Sequence, residues 1–350
     1  MRCLGCAAKV GGGTLSRVMH HLREEQPTLW QETVHHASVP TGVDTPDDAA
    51  VIDVPPGRLL VQTVDYMPAP VADPHLFGRI ATLHAFSDLF AMGAQPHSAL
   101  LATLLPFAAE AVVADTLYQL LSGAMLELRR MGALLVGGHS AEGAVLGLAV
   151  TANGFAGAST LLPKSGLRAG QTLILTKALG TGALFAAEMR LKAKAAWVDS
   201  ALDSMLIPNL DAARILREHG ATGCTDVTGF GVAGHLLEML RPAALGAELR
   251  LDALPALPGV MDCLRSGIAS SLHESNSEAA AAIVNGTTFA AHERWPLLFD
   301  PQTSGGLLAG VPAEQVSACV TALRRVGCSA ASIIGEVVAP ETAGAPLSLV

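Results

Sequence analysis

The chemistry in this sequence begins at Cys6-Ala7-Ala8-Lys9, which sets a thiol and an ammonium three residues apart. A nearby lysine favours the thiolate, the nucleophilic and soft-ligand form of cysteine. Sulfur suits a soft anion such as sulfide or selenide, and the ammonium suits phosphate. Cys3-x-x-Cys6 also reads as half a zinc site or as a redox pair. No second Cys-x-x-Cys or spaced histidine pair completes a zinc site, and the pair does not open the helix of a thioredoxin-like unit.

Carboxylates come next. Asp47-Asp48-Ala49-Ala50-Val51 sets two acids just before an apolar run. Asp65 falls at the end of the following strand, Asp88 in a helix otherwise poor in acids, and Asp226 at a turn. Mg²⁺ takes oxygen ligands and commonly joins one or two carboxylates to substrate phosphates. A shared metal would also partner acids in apolar surroundings, where an unpaired carboxylate is costly. Taken singly, each Asp reads equally as a helix cap or turn former.

Two glycine turns could meet phosphate. In Gly137-Gly138-His139-Ser140 the glycines would let main-chain amides approach and the serine would add a donor. Thr228-Gly229-Phe230-Gly231 precedes a helix and adds its positive end. Neither is a Walker A sequence. His20-His21 and His35-His36 are read as exposed, because adjacent side chains on a helix point apart. Lys177 is read either as a phosphate contact or as a surface lysine.

The elements that must carry these residues alternate. A glycine-ended flexible segment leads into a helix from Leu15 to Glu25. Strands are expected at Ala49 to Val54 and Leu59 to Val64, then a helix from Pro74 to about Met92, capped by Asp73 and ended by Gly93. A strand from Ser98 to Leu104, a helix from Ala108 to Met131, a strand from Ala133 to Val136 stopped by Gly137-Gly138, and a strand from Val145 to Phe155 complete the first half. Beyond a polar stretch near Thr160 to Gly170, strands are expected at Gln171 to Thr176, Leu249 to Leu251, Gly306 to Gly310 and Ser332 to Val337. Helices are expected after Gly182, before Gly220, from Gly229 to Leu240 and from Pro312 to Val326. Two α/β halves follow, divided as an N-terminal segment and helix (1–40), an N-terminal α/β domain with the clustered acids (41–160) and a C-terminal α/β domain (161–350). Ser87-Asp88 with Gly93, and Thr225-Asp226 with Gly231, hint that the halves are related.

Composition bounds the rest. At 350 residues, 50% hydrophobic and 15% charged, the chain can build two substantial cores. A net charge of -9 argues against a nucleic-acid partner but not against nucleotide bound through Mg²⁺. Leu89 to Ala109 and Ala144 to Pro163 lack formal charge, yet prolines, glycines and polar residues break both, so no membrane span is expected. Six cysteines are too sparse for a disulfide scaffold, which makes the cytoplasm the expected compartment. Cys263, Cys319 and Cys328 are read as small buried hydrophobes.

Taken together, the motifs resemble the selenophosphate synthetase (selenide, water dikinase) family, within the aminoimidazole ribonucleotide synthetase-like superfamily. The resemblance is carried by Cys6-x-x-Lys9, Asp47-Asp48-Ala-Ala-Val51, Thr63-Val-Asp65-Tyr-Met-Pro68, Phe77-Gly-Arg-Ile80 and Ser87-Asp88-Leu-Phe-Ala-Met-Gly93. It continues through Gly137-Gly-His-Ser140, Thr225-Asp-Val-Thr-Gly-Phe-Gly-Val-Ala-Gly-His235 and Asp300-Pro-Gln-Thr-Ser-Gly-Gly-Leu-Leu308, in the family's order along nearly the whole chain.

The resemblance implies conversion of ATP, selenide and water to selenophosphate, AMP and phosphate. It implies Mg²⁺ ligands at Asp48, Asp88 and Asp226, and ATP contacts at Lys9, Thr45, Pro46, Asp47, Asp65, Asp88, Gly138, His139 and Ser140. Cys6 takes the place of the family's reactive Cys or selenocysteine, with Lys9 beside the phosphates. The implied fold is two α/β domains, the N-terminal ones pairing into a β-barrel in a homodimer, with a selenium-delivery protein as a further partner. Ala8 departs from the family's Cys-Gly-Cys-Lys pattern, which puts a two-cysteine mechanism in question. The start close to the motif resembles versions fused behind a flavin-dependent NADH-dehydrogenase-like domain. Rival expectations are a thiamine monophosphate kinase-like enzyme, a non-catalytic nucleotide- or metal-binding protein, and a Cys3/Cys6 zinc module.

Overall fold

The computed structural model describes residues 9–45, 47–339 and 346–350. The chain divides into two compact units, Met1–Leu89 with Ala94–Thr160, and Phe90–Gly93 with Leu161–Val350.

The N-terminal unit opens with helices α1 (Gly12–Glu25) and α2 (Pro27–Val34). It then builds a four-stranded mixed sheet from β1 (Leu59–Pro68), β2 (Gln95–Pro106), β3 (Leu134–Gly143) and β4 (Gly147–Ala156), in the order β1-β4-β2-β3. Strand β4 pairs antiparallel with β1 and β2, whereas β2 and β3 run parallel. The parallel pair is joined by α4 (Glu110–Met131), and α3 (Pro74–Ala91) links β1 to β2. Helix α3 starts as expected: Asp73 Oδ1 accepts from the Leu76 amide at 3.0 Å, and Pro74 occupies the first turn. Phe77, Ile80, Phe86 and Leu89 are buried along it. The α3 and α4 backbones touch, since a Cβ on Gly78 would lie 2.2 Å from the Leu120 oxygen and one on Gly123 2.0 Å from the His75 oxygen. Glu127, wholly buried, accepts from Arg79 at 2.6 Å and Arg130 at 2.9 Å beside that crossing.

Two expectations change here. Ala49 to Val54 forms no strand; only Val51 bridges to Thr41, and Pro55-Pro56 removes two ladder donors just beyond. Gly137-Gly138 does not stop β3. The strand runs through both glycines in extended conformation to Gly143, with a bulge opposite Ala99/Leu100 that absorbs Val136.

The C-terminal unit holds a six-stranded sheet in the order β10-β7-β9-β5-β8-β6. Its strands are β5 (Gln171–Leu175), β6 (Gly223–Asp226), β7 (Gly246–Leu249), β8 (Leu307–Pro312), β9 (Ser332–Val338) and β10 (Leu347–Leu349). Among the described residues of this sheet, only the β10–β7 pair is parallel. Helices α5 (Thr181–Met189), α6 (Ala195–Met205), α7 (Leu210–Glu218) and α8 (Gly231–Ala243) lie between β5 and β7 in the chain. The short α9 (Val260–Arg265), α10 (His273–Asn276) and α11 (Gly286–Phe289) follow, and α12 (Val316–Arg325) separates β8 from β9. Leu173, Leu236, Phe299, Leu308 and Ile334 are among the fully buried core residues. The strand expected at Leu249 to Leu251 ends at Leu249, because Leu251 enters a 3₁₀ turn.

The Ser/Thr-Asp pairs fall in unlike elements: Asp88 lies inside α3 and Asp226 ends β6. That pattern is not a structural repeat. Among the described residues no helix is long and apolar enough to cross a membrane.

Candidate active site

In the N-terminal unit, the inward face of β1 carries Thr63 and Asp65 toward α3. The Thr63 hydroxyl donates to Asp88 Oδ2 at 2.6 Å. One helical turn earlier, His84 Nε2 lies 2.9 Å from Asp65 Oδ2. Burial would raise the Asp65 pKa, but the hydrogen bond and charge of His84, with the Tyr66 amide, hold it below the ordinary carboxylate range. Sequence reading had passed over His84, although its position four residues before Asp88 places both on one helix face.

The first described residues of the chain reach β3 just beyond its glycine pair. The Val10 amide donates to the Ser140 carbonyl at 2.9 Å, and Lys9 forms an antiparallel bridge with Ala141. Because β3 is the sheet edge, its outer backbone groups are free to take this short strand. Exposed Lys9 is thereby set opposite Ala141, next to Ser140. Cys6, Cys3 and Pro46 lie outside the described residues.

Thr45, Asp47 and Asp48 sit on an exposed loop. Thr45 Oγ1 donates to the Pro40 carbonyl at 3.2 Å and accepts from the Gly42 amide at 3.3 Å. The Asp48 amide donates to Asp47 Oδ1 at 2.8 Å, a local turn that leaves the Asp48 carboxylate outward. His20, His21, His35 and His36 are exposed, as expected.

In the C-terminal unit, Asp226 is buried at the end of β6. The loop after it is pinned from several sides. The Val227 amide donates to Gly306 O at 2.8 Å, the Gln302 amide donates to Thr228 O at 2.9 Å, and Asn276 Nδ2 donates to Gly229 O at 2.8 Å. Thr228 Oγ1 lies 3.1 Å from His235 Nε2, whose Nδ1 lies 3.2 Å from Glu238. The Asp300-to-Leu308 run supplies most of this framework. Gln302 Oε1 accepts from the Gly180 and Thr181 amides at 2.9 and 3.2 Å, while its Nε2 donates to Asp300 Oδ2 at 2.9 Å.

Lys177 is not a surface residue in this unit. It is buried and donates to Ser304 O at 3.0 Å. Burial lowers it to about 8, against the charges of Cys328 and Asp226. Cys224, Cys263, Cys319 and Cys328 are free and buried; for the last three this agrees with the sequence reading.

Burial pushes the Asp300 carboxyl up to about 7, against Gln302 and the amides of Ala183 and Gly182. A folded-state pKa raised above the unfolded value of 3.8 means that its contribution to stability is complete below that value and lost as pH rises through about 7. Wild-type protein is therefore expected to lose stability relative to Asp300→Asn by a few kcal/mol between about pH 4 and pH 7. Chemical denaturation across that range checks it. Parallel pH profiles would contradict it.

The donors proposed from sequence for Mg²⁺ are all carboxylate oxygens, with no thiol or imidazole among them, which suits this hard cation. Asp48 is open to solvent and Asp88 is half-buried with one oxygen already oriented, so their chemistry fits a metal shared with phosphate. Among the described residues, no group of three His, Cys, Asp or Glu side chains forms a protein-only cage.

Fold and sequence motifs together define a two-domain protein of the AIR synthase-related class. Residues 46–156 match the family described as AIR synthase related protein, N-terminal domain, and residues 168–345 match its C-terminal domain. Among solved structures, thiamine-monophosphate kinase from Stenotrophomonas maltophilia K279a superposes with a TM-score of 0.69 at 20% identity, covering 97% of each chain. The hydrogenase maturation protein HypE in complex with ATP gives 0.69 at 18% identity, over 95% of this chain and 90% of that one. At such identities the likeness is one of fold. Sequence goes further. The chain is 33% identical over 335 residues to selenide, water dikinase of Pelobacter propionicus, covering 95% of this chain and 93% of that protein. It is 35% identical over 355 residues to selenide, water dikinase of Nitratidesulfovibrio vulgaris, covering 100% and 97%. The chain belongs to the selenide, water dikinase family.

Proposed function

We propose that the chain converts ATP, selenide and water to selenophosphate, AMP and phosphate. The observation carrying this reading is the docking of Lys9–Val10 on β3 at Ser140 and Ala141, in a chain related along its whole length to selenide, water dikinases. Lys9, Thr45, Pro46, Asp47, Asp65, Asp88, Gly138, His139 and Ser140 contact ATP. Asp48, Asp88 and Asp226 hold Mg²⁺, which when bound would neutralise triphosphate charge.

The chain's own groups then have defined tasks. Lys9 brings an ammonium to the phosphates, and the Gly138–Ser140 stretch of β3 lines them. Cys6, three residues before Lys9 in the sequence, is the thiolate that meets selenium. Selenide attacks the γ-phosphorus, forming the P–Se bond as the bond to the bridging oxygen breaks and ADP leaves. Water then attacks the β-phosphorus of that ADP, giving AMP and phosphate.

The exposed face of the N-terminal sheet supports a homodimer. Leu60, Val64 and Tyr66 on β1 are 50%, 66% and 52% exposed, with Leu100 on β2 beside them. A sheet face left in water is ordinarily polar. Two such faces pair into a shared β-barrel, and a sedimenting mass of a single chain would remove this part. A selenium-delivery protein is the further partner, since selenide is readily oxidised, and the cytoplasm is the compartment.

Cys6→Ser is expected to lower selenide-dependent AMP formation at least about a hundredfold, the low end for losing a positioned reactive group. The check is AMP release with and without selenide under anaerobic conditions. Full activity in the variant would remove Cys6 from the chemistry, and AMP release indifferent to selenide in wild type would remove the function.

A further inference from the structure

Two polar bridges run side by side between β1 and α3. Thr63 and Asp65, two apart on the strand, share its inward face, while His84 and Asp88, four apart on the helix, share one side. Thr63 donates to Asp88 at 2.6 Å and His84 Nε2 meets Asp65 at 2.9 Å, so each carboxylate is gripped at one oxygen from the opposite element. The two members of the His84–Asp65 pair are unequally placed. The His84 side chain is 12% exposed and that of Asp65 37%, so the histidine stands behind and the carboxylate in front. Leu83 and Ala85 are buried on either side, which fixes the helix backbone that carries the ring.

We propose that His84 is a positioning residue for nucleotide binding, acting through Asp65. The inference rests on the assignment of Asp65 to ATP made above. A carboxylate offers lone pairs alone, so it meets ATP through a ribose hydroxyl, a base amine, a metal-bound water or a cation shared with the phosphates. The direction of its remaining lone pairs therefore decides whether that partner is met. An unheld Asp65 side chain would have to be ordered on binding, and His84 removes that cost beforehand. Glutamine places its Nε2 near the position of the histidine Nε2 and can keep the bond. Leucine fills the space and loses it.

The test is calorimetry with a non-hydrolysable ATP analogue and Mg²⁺, alongside steady-state kinetics and melting temperatures. It compares wild type, His84→Leu, His84→Gln, Asp65→Asn and the His84→Leu/Asp65→Asn double variant. His84→Leu is expected to weaken binding and raise the KM for ATP about tenfold, the low end for losing an outer partner of a binding residue, with kcat changed less than about threefold. His84→Gln is expected to recover most of that loss, and in the Asp65→Asn background the leucine is expected to cost nothing further. An equal loss in both backgrounds, or a glutamine variant no better than leucine, overturns the inference. Tight binding by wild type and His84→Leu alike also overturns it while leaving the proposed function standing. A wild type that does not bind the analogue removes both.

Discussion

Asp88→Asn is expected to cut selenide-dependent AMP formation about a thousandfold, while the melting temperature moves by only a few degrees. Asparagine has the size of aspartate, and its Oδ1 can accept the Thr63 hydroxyl that now meets Asp88 at 2.6 Å. Helix α3 therefore keeps its bridge to β1. What disappears is the negative charge, in a half-buried position where neighbours screen it less than water would. Removing one positioned electrostatic group from a reacting site commonly costs a hundred- to a thousandfold, roughly 3–4 kcal/mol. Asp88 is assigned both to Mg²⁺ and to ATP, so the upper figure applies. Turnover at saturating ATP and Mg²⁺, with thermal unfolding of the same preparation, checks it. A loss below about tenfold in a folded variant would remove Asp88 from the metal set.

Gly138→Ala acts on the fold first. A Cβ there would lie 2.0 Å from the Leu101 carbonyl oxygen and 2.9 Å from its carbon, both in the β2 backbone. Neither atom can turn aside as a side chain would, so the parallel β2–β3 pair must separate. The expected loss of stability is about 3 kcal/mol, the upper end for an overpacked core. Gly137→Ala is the matched control. It shares the φ of +159° found at Gly138, so both variants carry the same backbone strain, but its Cβ would meet only the Leu100 Cδ2 atom, at 3.1 Å, and that side chain can move, so a loss smaller than that of Gly138→Ala by about 1–2 kcal/mol is expected. Urea unfolding of both variants separates the cases, and equal losses would contradict the account.

These glycines also mark the limit of what the amino-acid sequence discloses. Gly137-Gly138 after an apolar run reads as a strand end, and local propensity has no means of showing that β2 lies close enough to require hydrogen at Cα. The α3 start was legible because its cap is local: Asp73, Pro74 and the apolar period lie within a few residues. Ala49 to Val54 misled for the opposite reason, being an apolar run with no partner strand of its own. Lys177 shows the same limit in a side chain. Its burial against Ser304 joins residues 127 positions apart in the chain, and nothing near Lys177 announces it. Asp65 and Asp88 stand out in the sequence, whereas the contacts that hold them, from His84 and Thr63, emerge only when β1 is laid against α3. Gln302 was visible within a motif, but its grip on the Gly180–Thr181 turn is a long-range fact.

The central claim is that ATP, selenide and water become selenophosphate, AMP and phosphate on this chain. Anaerobic phosphorus NMR of the purified protein with ATP and Mg²⁺, run with and without selenide, tests it most directly. The account predicts a selenium-coupled phosphorus resonance that grows only when selenide is present, in step with AMP and phosphate. ADP accumulating with no selenium-coupled signal, or ATP left intact beside selenide, would contradict it.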